Sequence, residues 1–410
     1  MASIGNLFIA GMDKFNGIYK CGIAYELSTE SPISFFYETT QQGWLVEFLE
    51  KSSFVVARTM QELSYEQVHS DGFTAIQEAL DILSIKGIYS ANLAAPANYN
   101  ISIYCENNNS ILSVYNMIDF PMGVKLEITQ FDSSGKKVEA LSPPEPIWNE
   151  SFRYYRLSQC SSDLFEAYRN LFLSFEALLN SICKKKSNEK EGEWLRRALT
   201  TINFKVSLSS STPTGNEEPV SYIITSQYKN IRCKLQHAKF PNAQLPHSQP
   251  SLQDVQQAYS ELVRIWRQIA GAYFNVATGG SVITYRGFSN MMKGIFEPAV
   301  YLDFTPDNTP PRKSDTQINK NETPSYRFEK TAYIGSIKPG VVRISGNESI
   351  NKSLGKYNDP ICKICILIKE APFSIAYIKS GLYISGVEEF ECISDIRLIN
   401  SSQPKIEFDT

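Results

Sequence analysis

Histidine is scarce in this chain, with three in 410 residues: His69, His237 and His247. An excess of one charge is missing too, since 43 acidic residues nearly balance 40 basic ones and leave a formal net charge of -3. No global basic field draws in nucleic acid, so RNA binding would have to rest on a local patch. No stretch reaches the roughly 20 apolar residues that span a membrane. Met1 to Phe15 lacks the charged start and apolar run of a secretory leader. The expectation is a cytoplasmic protein without a membrane partner.

Cysteine is present but forms no framework. Cys21, Cys105, Cys160, Cys183, Cys233, Cys362, Cys365 and Cys392 are scattered, as reduced intracellular thiols are. Cys362-Lys-Ile-Cys365 is a lone CxxC in a strand-like run. Without a second pair it makes no structural zinc site, and alternation turns its two thiols to opposite faces of a sheet. Gly279-Gly280-Ser281 lacks the Gly-Lys-Ser/Thr ending of a P-loop. No metal or cofactor is expected.

Hydrophobic residues make up 42% of the chain, enough for well-packed domains, and the length exceeds one ordinary core. The expected class is multidomain α+β. Residues 1–142 read as an α+β domain and candidate sensor. In it, Phe73 to Lys86 is a helix with Ile76, Leu80 and Leu83 on one face and Gly87 as its stop. Ser142-Pro-Pro-Glu-Pro-Ile147 is the clearest linker. Residues 149–276 read as a central four-helix bundle, with long amphipathic helices from Ser161 to Lys184 and from Ser251 to about Asn275 and a shorter one around Trp194 to Asn203. Residues 281–410 read as a mostly-β domain, with a polar, proline-rich mobile loop near 306–325.

The third helix of that middle segment carries Arg232-Cys-Lys-Leu-Gln-His237. Arginine offers a permanently charged fork shaped for phosphate, and histidine titrates near neutral pH. On a phosphodiester the two suffice for metal-free RNA cleavage. At 100° per residue, Val220, Ile224, Ile231, Leu235 and Ala238 form the core stripe; Arg232 falls about 100° to one side of Ile231 and His237 about 120° to the other. The pair is therefore expected to flank the face turned away from the core. Five positions before His69 is Ser64, and before His247 Asn242, so the spacing occurs once. Lys234 and Lys239 add positive charge beside it. Arg196, Arg197 and Lys184 to Lys186 form a basic cluster near Trp194, which suits either an RNA backbone and a stacked base or a solvated helix end. Glu176 either reaches the motif helix or faces solvent.

Ile231-Arg-Cys-Lys-Leu-Gln-His-Ala-Lys239, lying between two long amphipathic helices, resembles the HEPN superfamily over roughly residues 152–274. The wording around the motif looks most like its Apea-like and MauJ-like branches. The resemblance implies a homodimer in which the Arg–His pairs of two protomers face each other as a ribonuclease site. It implies that Arg232 stabilises the phosphorane, and that His237 is general acid or base at the ribose 2′-oxygen or the leaving 5′-oxygen. Lys234, Lys239, Arg196 and Arg197 would hold the RNA. The implied function is metal-independent cleavage of tRNA or other RNA in anti-phage or stress defence, licensed by a phage-derived or protein trigger. Many active members place Asn, Asp or His directly after the arginine; this chain has Cys233, a weak donor. The alternative is a catalytically silent HEPN-like adaptor that binds partner proteins or RNA.

Overall fold

The computed structural model describes residues 2–12, 18–39, 43–123, 129–138, 144–213, 218–237, 246, 251–277, 283–320, 323–350, 357–400 and 403–408. The chain opens with β1 (Ala2–Ile4), β2 (Leu7–Met12), β3 (Ile18–Tyr19), β4 (Cys21–Glu26), β5 (Phe35–Glu38), β6 (Trp44–Phe48) and β7 (Phe54–Thr59). Helix α1 (Tyr65–Ile85) precedes β8 (Tyr99–Glu106), β9 (Asn109–Met122) and the short hairpin β10 (Gln130–Phe131) and β11 (Lys137–Val138). The middle is helical: α2 (Ser151–Cys160), α3 (Leu164–Ile182), α4 (Glu191–Lys205), α5 (Pro219–Ile223), α6 (Cys233–Gln236) and α7 (Ser251–Phe274). A π-helical stretch, Ile224–Arg232, joins α5 to α6. After α8 (Tyr285–Phe296) come β12 (Val300–Thr305), β13 (Tyr326–Arg327), β14 (Lys330–Lys338), β15 (Val341–Ser349), β16 (Ile361–Ile368), β17 (Ala371–Tyr383) and β18 (Glu389–Asn400).

This arrangement corrects the expected architecture. The protein is sheet-rich, with 35% of the described residues helical and two large sheets in place of three successive domains around a central four-helix bundle. Its two compact units are residues 1–121 with 283–399, and residues 122–282 with 400–410. Among the described residues one sheet has seven strands in the order β13-β12-β16-β17-β1-β2-β3, and the other nine, β14-β15-β18-β9-β8-β4-β7-β6-β5. The N-terminal strands thus complete a sheet begun by C-terminal ones, with Ser3 opposite Tyr383. The separate N-terminal α+β and C-terminal mostly-β domains merge into one unit. Alternation in a sequence reveals a strand and its apolar face, but any free sheet edge can satisfy that strand's backbone groups.

Within this unit the two sheets face each other over one core, which includes Ala24, Val56, Ile101, Leu302, Phe304 and Ile364. The alternate residues Cys21, Ile23, Tyr25, Val55 and Ala57 face α1 instead. Helix α1 begins before Phe73, because Ser64 and Gln67 form a capping box. Gly72 lets it lie close: a Cβ there would strike Ile23. The segment after Gly280, read as strands, holds α8, capped by the Thr284 hydroxyl and burying Phe288, Met292 and Phe296.

The expected mobile loop carries a buried anchor. Lys363 Nζ donates to Asp307 Oδ2 at 2.9 Å, Thr309 Oγ1 at 3.1 Å and the Ile318 carbonyl at 3.2 Å. Burial opposes charge on Asp307, but the Thr309 and Lys320 amides and the Lys363 ammonium outweigh it and hold its carboxyl at about 2. Lys363→Ala should destabilise this unit by about 3–5 kcal/mol, because it strands a buried carboxylate. A urea unfolding midpoint equal to that of the parent protein would refute this.

In the helical unit, α3, α4 and α7 pack Leu171, Phe175, Leu178, Leu195, Leu199, Leu262 and Trp266 into one core. The proline-rich linker lies partly outside the described residues. No helix among the described residues is long and apolar enough to cross a membrane.

Candidate functional site

Arg232 closes the π stretch, where the Cys233 amide reaches back to the Tyr228 carbonyl. A π turn takes in one more residue than an α turn and leaves carbonyls displaced from their usual partners. Here the Tyr168 hydroxyl donates to the Gln227 carbonyl at 2.9 Å and shares Gln227 Oε1 at 3.1 Å. Gln227 is fully buried, and its Nε2 donates to Glu261 Oε2 at 3.3 Å, which also accepts from the Tyr222 hydroxyl at 2.9 Å. A buried polar network therefore supports the wide turn from below.

Side chains of α3 and α4 enclose the arginine. Arg232 does not stand on the outward face expected at 100° per residue. Its side chain is only 14% exposed, with the guanidinium carbon 5.4 Å from the Tyr228 ring centre and 5.8 Å from that of Phe172. Arg232 Nη2 donates to Glu191 Oε1 at 2.7 Å and to Glu176 Oε1 at 3.4 Å. Arg232 Nε is buried with no hydrogen-bond partner. Glu191 opens α4, and its second oxygen accepts from the Tyr228 hydroxyl at 3.5 Å.

Glu176, on α3, lies between these groups. Burial first, then its hydrogen bond to Glu191 and that neighbour's charge, push its carboxyl up to about 8, against the opposing pull of Arg232. Burial, with Glu191 nearby, also pushes the Tyr228 hydroxyl up to about 12. Two carboxyl groups thus share one arginine in a partly dry niche, an arrangement concentrated at functional sites.

His237 follows α6 with φ -126° and ψ 79°, outside the helical region, and is exposed. Arg169 Nη2 donates to the Leu235 carbonyl at 3.2 Å and so fixes the turn that ends before His237. Lys234 is half-buried; Lys239 lies outside the described residues. Arg196 is exposed and donates to Ser221 Oγ at 3.2 Å. Arg197 is differently occupied. Its Nε and Nη2 bond the Glu189 carboxylate at 2.7 Å each, Nη1 reaches Cys183 Sγ at 2.7 Å, and Nη2 also donates to the Lys184 carbonyl at 2.9 Å. Trp194 is buried and donates to the Cys183 carbonyl, which leaves no exposed ring for a base.

The structure therefore brings Arg232 to Glu176, named from the sequence, and to Glu191 and Tyr228, which were not. The sequence signal for Glu191 was only an acid in a helix's first turn. His69 sits elsewhere, its ring 4.1 Å from that of Tyr65 and tilted 34° to it, and burial lowers its imidazole to about 4. Cys362 and Cys365 are buried in β16. Among the described residues no group of three or more His, Cys, Asp or Glu could hold a metal ion. No family model, curated protein or solved structure matches this chain.

Proposed function

We propose that the helical unit is a metal-independent endoribonuclease of the HEPN kind, cleaving tRNA or other RNA through Arg232 and His237. The observation that carries this reading is the orphaned Nε of Arg232, on a guanidinium otherwise held by the partly exposed Glu191. A phosphodiester offers two oxygens to such a fork, so substrate can replace Glu191 and satisfy the open donor at the same time. The ribose 2′-oxygen then attacks phosphorus while the bond to the 5′-oxygen breaks. Arg232 meets the charge that develops on the phosphorane. His237, exposed beside the last helical turn, takes the 2′ proton or supplies one to the leaving oxygen. The products are a 2′,3′-cyclic phosphate and a 5′-hydroxyl. In this reading two protomers pair their sites, and in cytoplasmic anti-phage or stress defence a trigger raises cleavage above the basal rate of the purified protein. Lys234, Lys239 and Arg196 contribute backbone contacts, and Arg197 acts chiefly in holding the loop before α4.

The ion pair itself favours a second reading. Because Arg232 is already paired with the Glu191 carboxylate, the unit could bind RNA or a partner protein without cutting.

Purified protein incubated with total tRNA, with and without EDTA, separates the two. Cleavage that persists in EDTA, from protein that sediments as a dimer, is the expected result. Retained but intact RNA supports the adaptor, and a monomer that neither binds nor cuts removes both.

A further inference from the structure

Away from the helical unit, two cysteines 84 positions apart meet at one end of the nine-stranded sheet. Cys21 Sγ and Cys105 Sγ are 3.7 Å apart. Strict alternation would have kept them on opposite faces, since β4 and β8 pair Gly22 with Ile103. That ladder ends there, however. Beyond it the Cys105 amide donates to the Leu63 carbonyl at 2.9 Å, and the Leu63 amide donates to Cys21 Sγ at 3.3 Å. Leu63 thus gathers both cysteines just before the cap of α1.

The two thiols differ in access. Cys105 lines a cleft of about 290 Å³ with Lys20 and Glu62, and a second of about 330 Å³ with Glu66 and Arg343; Cys21 lines neither and is fully buried. Lys20 Nζ is held by Glu62 at 2.6 Å and places positive charge by both sulfurs. A disulfide needs a sulfur–sulfur distance of about 2.05 Å, so the pair must close by less than 2 Å, a movement within reach of small side-chain rotations.

We propose that Cys21 and Cys105 form a peroxide-oxidised dithiol site, with Cys105 as the thiol that reacts with peroxide and Cys21 as its resolving partner. Cys105 sulfur attacks one peroxide oxygen; the O–O bond breaks and water leaves, giving a sulfenic acid. Cys21 sulfur then attacks Cys105 sulfur, the S–O bond breaks, and a second water departs with the Cys21 proton. Two thiols are oxidised to one disulfide, and one hydrogen peroxide is reduced to two waters. Burial holds the Cys21 thiol high, to about 12, so it is Cys105, lining the clefts, that meets peroxide first.

The test uses the full chain treated with a small excess of hydrogen peroxide, then unfolded, alkylated and mapped by mass spectrometry. Two thiols per chain should be lost, with a Cys21–Cys105 linked peptide, and dithiothreitol should cleave that link and restore both thiols. Cys21→Ser, with Cys21→Ala as a second variant and far-UV circular dichroism as the check on folding, should leave Cys105 trappable as a dimedone adduct. Cys105→Ser should leave Cys21 fully alkylatable. Peroxide that modifies the exposed Cys160 while both thiols remain alkylatable would overturn the proposal. A cross-link from Cys105 to any other cysteine would do the same.

Discussion

Arg232→Ala should lower RNA cleavage by about 10²–10³-fold or more, the loss that follows removal of a positioned donor to a developing oxyanion. The substitution removes both the charge and the fork. Arg232→Lys separates the two, because an ammonium keeps a cation near Glu176 and Glu191 but cannot bond phosphate through paired donors. It should restore much of the stability lost in the alanine variant and little of the rate. Single-turnover cleavage at saturating RNA, read beside thermal midpoints, distinguishes these contributions. A lysine variant with the parental rate would show that charge alone suffices, and that the fork and its open Nε are incidental.

Glu176→Gln should flatten the pH dependence of stability and make the protein more stable than the parent at pH 8. In the unfolded chain Glu176 titrates in the ordinary carboxylate range; in the folded chain its carboxyl is raised to about 8. Between those values the folded state holds a proton that the unfolded state has released, so parental stability falls as pH rises through that window. Glutamine cannot ionise and keeps a donor for Glu191, which lies against it with Arg232. The expected advantage at pH 8 is on the order of 2 kcal/mol, shrinking toward zero near pH 4.5. Urea unfolding followed by far-UV circular dichroism at both pH values measures it. A difference that does not change with pH would mean that Glu176 is not held protonated.

What the sequence disclosed depended on the range of the interaction. Leu171, Phe175 and Leu178 recur at helical spacing, and α3 and α7 follow from such periodicity alone. Ser64 and Gln67 also carry a local signal, yet α1 read as starting only at Phe73, because apolar periodicity took precedence over the cap. The π stretch was not legible. It is supported by the Tyr168 hydroxyl on the Gln227 carbonyl, a contact across 59 positions that no local pattern encodes. The carboxylates of Arg232 were hidden too, since Glu176 and Glu191 lie 56 and 41 positions away on other helices. The pairing of β1 with β17 was equally hidden, since Ser3 and Tyr383 each look like ordinary strand residues. Reading three successive domains followed from that blindness to partners. Cys21 and Cys105 looked scattered for the same reason.

The central claim is that Arg232 and His237 cut RNA without metal, and counting product ends tests it most directly. Total tRNA incubated in EDTA with the parent protein, Arg232→Ala and His237→Ala can be analysed for 2′,3′-cyclic phosphates. The parent should generate these ends, and both variants, folded and still binding RNA, should generate almost none. Cyclic ends formed equally by all three proteins, or cleavage by the parent that vanishes in EDTA, would contradict it.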